Sequence, residues 1–140
     1  MNARFFLDTN IFVYACDRTT PAKARRAEAL IIEAIGTGKG LISFQVVQEF
    51  MNLALRRFPK PMNAGEAGHY WMTVLNPLLS VHSSSTLYSE ALRTYAHYRI
   101  SWFDALIVAA AVQADCAVLY SEDFQDGQTF GQTRVKNPFA

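Results

Sequence analysis

Apolar positions along the chain change period repeatedly, and the changes mark out alternating strands and helices. Arg4 to Leu7 is a short apolar run that reads as a strand, followed at once by a short helix from Asn10 to Cys16. Thr20-Pro21 gives a cap and a first-turn proline, and the helix behind it carries Ala24, Ala27, Ile31 and Ala34 on one face. Gly36-Thr37-Gly38-Lys39-Gly40 stops it before the strand Leu41-Ile42-Ser43. A helix from about Gln45 to Arg57 ends ahead of Pro59 and Pro61. Met62 to Leu75 reads as another, with Asn63 and Glu66 at capping-box spacing. Leu78 to His82 is a strand, Ser84 or Ser85 caps a helix reaching Tyr98, and Ser101-Trp102-Phe103-Asp104 opens a helix that is apolar almost all round to Ala114. Such a helix belongs at the centre, covered on most sides. Ala117 to Ser121 is the next strand, and Arg134-Val135-Lys136 a last edge strand. Alternation of this kind predicts an α/β fold, a three-layer α/β/α domain with a parallel central sheet.

Composition narrows the class without changing that picture. With 140 residues, 51% hydrophobic and 18% charged, the chain is expected to form one globular domain over 1–140. Its longest apolar runs fall short of a bilayer span, and the N-terminal residues lack the apolar stretch of a signal peptide, so a cytoplasmic protein with no membrane association is expected. Cys16 and Cys116 are too few for a disulfide framework and lack metal-site spacing. The net charge of +1 is neutral on nucleic acid. Basic residues cluster, however, at Lys23, Arg25 and Arg26 and again at Arg56, Arg57 and Lys60. Spacing alone favours solvated helix faces; the alternative is a cationic rim for a negative substrate.

The chemistry lies in four acids set among apolar residues. Asp8 ends the run Phe5-Phe6-Leu7. Glu49 sits in the stripe Val46, Phe50, Leu53. Asp104 opens the apolar segment running to Ala110, and Asp123 follows the strand at Ala117–Ser121. No Lys or Arg lies within three residues of Glu49 or Asp123. An uncompensated buried carboxylate costs on the order of several kcal/mol, so a shared hard divalent cation explains all four together. Each also has a plain reading: Asp8 as a helix cap, Asp104 as a first-turn acid opposite Ser101, Asp123 as a turn residue. Glu49, facing the apolar side of its helix, is hardest to explain that way. Asp8 and Asp123 fall just beyond strand C-termini, where open α/β sheets bind ligands.

Other motifs add little. His69, His82 and His97 lack zinc-site pairing. The Gly36–Gly40 run lacks phosphate-loop spacing and precedes a strand. Ser83, Ser84 and Ser85 have no nucleophile elbow. Trp71, Tyr95, Tyr98 and Trp102 are read as core aromatics.

Taken in order, Phe6-Leu7-Asp8-Thr9-Asn10, Val47-Gln48-Glu49-Phe50, Ser101-Trp102-Phe103-Asp104-Ala105-Leu106-Ile107 and Leu119-Tyr120-Ser121-Glu122-Asp123-Phe124 resemble the motifs of the PIN-domain ribonucleases, in particular the VapC-type toxins of bacterial toxin–antitoxin pairs. The terminal Asn137-Pro138-Phe139 is similar as well. The resemblance implies an endoribonuclease dependent on Mg²⁺ or Mn²⁺, with Asp8, Glu49, Asp104 and Asp123 as catalytic, metal-holding acids and Asn10 and Ser121 in support. Glu122 and Asp126 compete with Asp123 for the last place. It further implies an RNA substrate cut by a metal-activated water, a cognate antitoxin, and self-association as a homo-oligomer, expected as a dimer. Lys23, Arg25, Arg26, Arg56, Arg57 and Lys60 are then the candidates for RNA phosphates. Two other classes compete: a metal-dependent phosphatase, which normally wants a second acid two residues after the first where this chain has Asn10, and a catalytically silent metal-binding regulatory protein.

Overall fold

The computed structural model describes residues 3–140. Met1 and Asn2, which open the stretch read as lacking a leader, lie outside the described residues. Six strands form one sheet: β1 (Arg4–Leu7), β2 (Gly40–Ser43), β3 (Leu79–Val81), β4 (Cys116–Tyr120), β5 (Thr129–Phe130) and β6 (Thr133–Lys136). Their spatial order is β3-β2-β1-β4-β6-β5, and every neighbouring pair is parallel except β5–β6. The expected edge strand at Arg134–Lys136 is therefore corrected. β6 lies inside the sheet against β4, and the edge belongs to β5, whose two residues are too few to leave a sequence period.

The helices are α1 (Thr9–Cys16), α2 (Pro21–Thr37), α3 (Phe44–Arg56), α4 (Ala64–Tyr70), α5 (Asn76–Leu78), α6 (Ser85–Tyr98) and α7 (Trp102–Gln113). A π-helical turn at Trp71–Leu75 joins α4 to α5. The helix expected to stop at Leu75 thus continues for three more residues, and the strand after it begins at Leu79. The Asn63–Glu66 capping box is formed in both directions. Ser84 and Ser101 cap α6 and α7 as their spacing predicts.

Connections β1–β2 and β2–β3 step one way along the sheet, and β3–β4 steps back past β1. Parallel crossovers are right-handed, so this reversal puts α6 and α7 on the opposite face from the earlier helices and makes three layers. It also creates a switch point between β1 and β4, where crevices open at strand C-termini. The core confirms the arrangement. Phe6 and Leu7 are fully buried, and Ala105 to Ala111 are buried without a break. α7 is the central helix that its all-round apolar sequence requires.

Two glycines end α2 and start β2 for different reasons. Gly38 holds φ at 70° as the left-handed cap of α2. Gly40 sits where a Cβ would lie 2.1 Å from Ala34 Cβ and 2.9 Å from the Phe5 ring. Close packing of α2 on β1 and β2 rests on that missing methyl. Gly40→Ala should therefore lower the unfolding free energy by about 1–3 kcal/mol, the usual cost of overpacking, as read from urea denaturation; a change within error would show that α2 can move away freely.

Candidate active site

Asp8 is the first residue beyond β1, and its backbone N–H donates to the Tyr120 carbonyl at 3.0 Å. Leu7 pairs with Tyr120 in the sheet, so the residues that follow, Asp8 and Ser121, meet at the switch point. Asp8 is 4% exposed. The Thr9 backbone N–H donates to its Oδ1 at 2.7 Å and the Ser121 hydroxyl to its Oδ2 at 2.7 Å. The cap reading of Asp8 is thus also correct, since this carboxylate starts α1. Ser121 is saturated. Besides donating to Asp8, its oxygen accepts from Asp123 N at 3.0 Å and from Asn10 Nδ2 at 3.4 Å.

From this pair, contacts spread to the other acids. Asn10 Nδ2 donates to Asp123 Oδ2 at 3.1 Å. The Thr9 hydroxyl donates to Glu49 Oε1 at 2.6 Å, and Gln45 Nε2 donates to Glu49 Oε2 at 3.2 Å. The same Gln45 nitrogen donates to the carbonyl of Phe103, the residue before Asp104, at 3.0 Å. Asp104 takes its place in the first turn of α7 through the Ser101 hydroxyl, which accepts from its backbone N–H at 3.1 Å. Thr9, Asn10, Glu49 and Asp123 line an open hollow with Val13, Tyr14, Asn52, Leu53 and Glu122.

Electrostatics link all four acids. Burial pushes the Asp8 carboxyl from 3.8 to about 7, against the hydrogen bonds from Ser121 and Thr9, with the charges of Asp123 and Glu49 adding to the rise. Burial likewise raises Asp104, opposed by Ser101 and reinforced by Asp123 and Glu49. Among the described residues the ion pairs are Lys23–Glu122 and Arg93–Glu90, so none of the four carboxylates is neutralised by a cationic side chain.

The structure distinguishes the candidate acids from one another. The four acids are not equally enclosed: Asp8 is buried, Glu49 and Asp104 are half-buried, and Asp123 is exposed. Among the described residues no three His, Cys, Asp or Glu side chains are gathered closely enough to hold an ion as they stand. The acids are spaced by Thr9, Asn10, Ser121 and Gln45 instead of touching. Glu122 is occupied elsewhere, accepting from Tyr14 Oη at 2.7 Å and from Lys23 Nζ at 2.9 Å. Burial works to raise its carboxyl, but those two hydrogen bonds and the Lys23 charge together bring it below the ordinary range. Asp126 caps the Asn137 N–H at 2.9 Å. Both competitors for the place of Asp123 are thus committed to structural contacts.

The basic candidates divide. Lys23 is tied to Glu122 and lies 4.4 Å above the Tyr14 ring, whose edge meets Phe139. Arg26 lines a different hollow with Arg134 and Lys136. Arg57 and Lys60, with Arg18, line a groove that shares Val13 and Leu53 with the acidic hollow. Arg25 and Arg56 line neither. The residues that sequence reasoning passed over are Thr9 and Gln45. A signal for Gln45 existed: it stands four residues before Glu49, beside the apolar Val46 and Phe50 on one helical face.

The sheet is mostly parallel, and its switch point carries Asp8, with Asp123 and Glu49 tied to it through Ser121, Asn10 and Thr9. The PIN domain family's sequence profile matches residues 5–126, and the chain belongs to that family. No curated protein sequence matches it. Among solved structures the chain is similar to a toxin–antitoxin complex from Klebsiella pneumoniae, with a TM-score of 0.68 at 19% identity over 95% of this chain and 96% of that one. VapBC2 from Rickettsia felis, bound to a DNA fragment from its promoter, gives 0.65 at 16% identity over 95% and 97%. VapC20 from Mycobacterium tuberculosis, a toxin that cleaves the sarcin–ricin loop, gives 0.60 at 18% over 85% and 89%. At these identities the likeness establishes a shared fold.

The raised Asp8 carboxyl has a consequence for stability. The folded protein binds this proton more tightly than the unfolded chain, so unfolding free energy contributed here falls as pH rises from about 4 to about 7 and is flat above. A shift of that size corresponds to roughly 4 kcal/mol at most. Asp8→Asn should therefore stabilise the metal-free protein at pH 8 and flatten its stability between pH 4 and 7, as measured by urea denaturation in chelator. A destabilised Asp8→Asn protein at pH 8 would show that the ionised cap outweighs the burial.

Proposed function

We propose that this PIN-domain protein is a metal-dependent endoribonuclease acting as the toxin of a toxin–antitoxin pair. The observation that carries the reading is the uncompensated acid group at the switch point. Asp8 is buried, two further carboxylates raise its proton affinity, and no cationic side chain among the described residues answers them. Such a donor set fits Mg²⁺ or Mn²⁺, both of which take hard carboxylate oxygens. The loose spacing of the acids suits Mg²⁺ in particular, which keeps several of its waters and needs only one or two direct carboxylates. Asp8, Glu49, Asp104 and Asp123 would hold the ion, directly or through water. Bound there, it supplies charge neutralisation at a phosphodiester and acidifies a water.

The chain's own residues perform the rest. Ser121 and the Thr9 N–H fix both oxygens of Asp8, and Asp8 must lose its proton before it can serve, so cation binding and proton release are coupled. Asn10 holds Asp123 at the mouth of the hollow. Thr9 and Gln45 fix Glu49. No serine or cysteine nucleophile is needed. Asn10 also weakens the phosphatase reading, since its amide donates to Asp123 and Ser121 and has no proton to pass to a leaving group. RNA would approach along the groove lined by Arg18, Arg57 and Lys60. The antitoxin would lie across the same hollow with a basic side chain near the acids, and the protein would self-associate as a dimer.

Asp104→Asn should reduce Mg²⁺- or Mn²⁺-dependent RNA cleavage by at least about a hundredfold while the melting temperature of the metal-free protein stays level or rises, because burial and like charges already disfavour the ionised form. Release of phosphate from small phosphomonoesters without RNA cleavage would favour the phosphatase, and cation binding without turnover the silent protein. Replacing Arg57 and Lys60 together by Ala should flatten the salt dependence of RNA binding by about 1.4 log units per decade, given a slope of roughly 0.7 for each of two phosphate contacts on single strands. Arg25→Ala with Arg26→Ala should leave the slope unchanged.

A further inference from the structure

Gln45 is 4% exposed, in the first turn of α3. Its Nε2 donates to two acceptors on different elements, Glu49 Oε2 at 3.2 Å and the Phe103 carbonyl at 3.0 Å. Its Oε1 is buried with no partner. The amide cannot be turned over, because both groups facing Nε2 are acceptors and Oε1 there would meet a carboxylate oxygen and a carbonyl oxygen. A buried amide with one orphaned end is a poor core filler; Leu or Met would pack there without that penalty. What the side chain does offer is a rigid tie. Glu49 stands on α3 and Asp104 in the first turn of α7, and among the hydrogen bonds of the described residues Gln45 is the bridge from the Glu49 carboxylate to α7.

We propose that Gln45 is a positioning residue that sets the place of the Glu49 carboxylate relative to Asp104, completing from the α7 side the grip that Thr9 exerts from the β1 side. It rests on the reading that Glu49 helps to hold a divalent cation. With both oxygens of Glu49 engaged by donors, the carboxylate is held in one rotamer before an ion arrives. Without Gln45 the Oε2 side is free, and binding must then freeze a mobile acid. Outer hydrogen bonds of this kind commonly govern cation affinity by ten- to a hundredfold.

The experiment uses the full chain with Gln45→Leu and Gln45→Met, both near the glutamine in volume, and the exposed Gln48→Ala as control. Mn²⁺ affinity is measured by calorimetry, melting temperature in chelator, and kcat and KM on an RNA substrate at saturating Mn²⁺. Both Gln45 variants should melt no lower than the wild type, since the orphaned oxygen is gone. They should bind Mn²⁺ about ten- to a hundredfold more weakly and lose kcat with KM for RNA nearly unchanged. Mn²⁺ affinity within twofold of wild type in both variants overturns the proposal, whatever happens to melting. If Mn²⁺ affinity falls as expected but the wild type cleaves no RNA, the ribonuclease reading fails and the positioning role stands. A wild type that binds no Mn²⁺ overturns both. Should neither variant fold, the Gln45 side-chain amide protons of the wild type are followed by NMR. Slow exchange, with a shift on Glu49→Ala, supports the tie, and rapid exchange with no shift overturns it.

Discussion

A single carboxylate buried between two parallel strands organises the functional end of this molecule. Asp8 is driven into the seam between β1 and β4 by the sheet register, and there it must find donors or lose its charge. It finds two, the Thr9 N–H and the Ser121 hydroxyl, which belong to the segments leaving the two strands. Meeting the needs of Asp8 therefore fixes where α1 begins and where the loop after β4 turns. Those segments carry Asn10 and Asp123, and Thr9 reaches on to Glu49. Asp123 and Glu49 are thus held through neighbours of Asp8, whereas Asp104 is set by the Ser101 cap of its own helix.

That arrangement reconciles two properties that oppose one another. Acids close enough to share a cation repel one another when it is absent, and a fully packed cluster would open or protonate. Here Thr9, Asn10 and Ser121 stand between Asp8, Glu49 and Asp123, and the burden falls mainly on Asp8, whose carboxyl moves toward neutrality. Exposure grades outward to Asp123, where water screens the charge. Hydrogen bonds hold these acids at set positions, at a cost borne mainly by the most buried of them.

Much of this was legible in the sequence, for identifiable reasons. The alternation of elements and the all-round apolar α7 follow from periodicity, which packing did not override. The acids stood out because a carboxylate in an apolar run is rare and asks for an explanation. What stayed hidden depends on contacts between distant segments. The two-residue β5 is too short to show a period, and the π-turn at Trp71–Leu75 leaves the helical pattern intact. The roles of Glu122 and Lys23 could not be separated from those of Asp123 and Arg57 by spacing, since only the fold brings Lys23 onto Glu122. Gln45 looked like one more polar residue on a helix, although its place four residues before Glu49 carried a hint.

The position of β6 gives the chain a built-in order of events during synthesis. Ser121, which satisfies Asp8, is itself anchored when its backbone N–H donates to the Lys136 carbonyl at 3.1 Å. β4 remains a sheet edge until residues 133–136 have emerged and paired with it. Of the segments that complete this corner of the sheet, the last to be made is therefore the one that anchors the partner of Asp8. The four carboxylates come from segments spread from residue 8 to residue 123, and only the closed sheet brings those segments together.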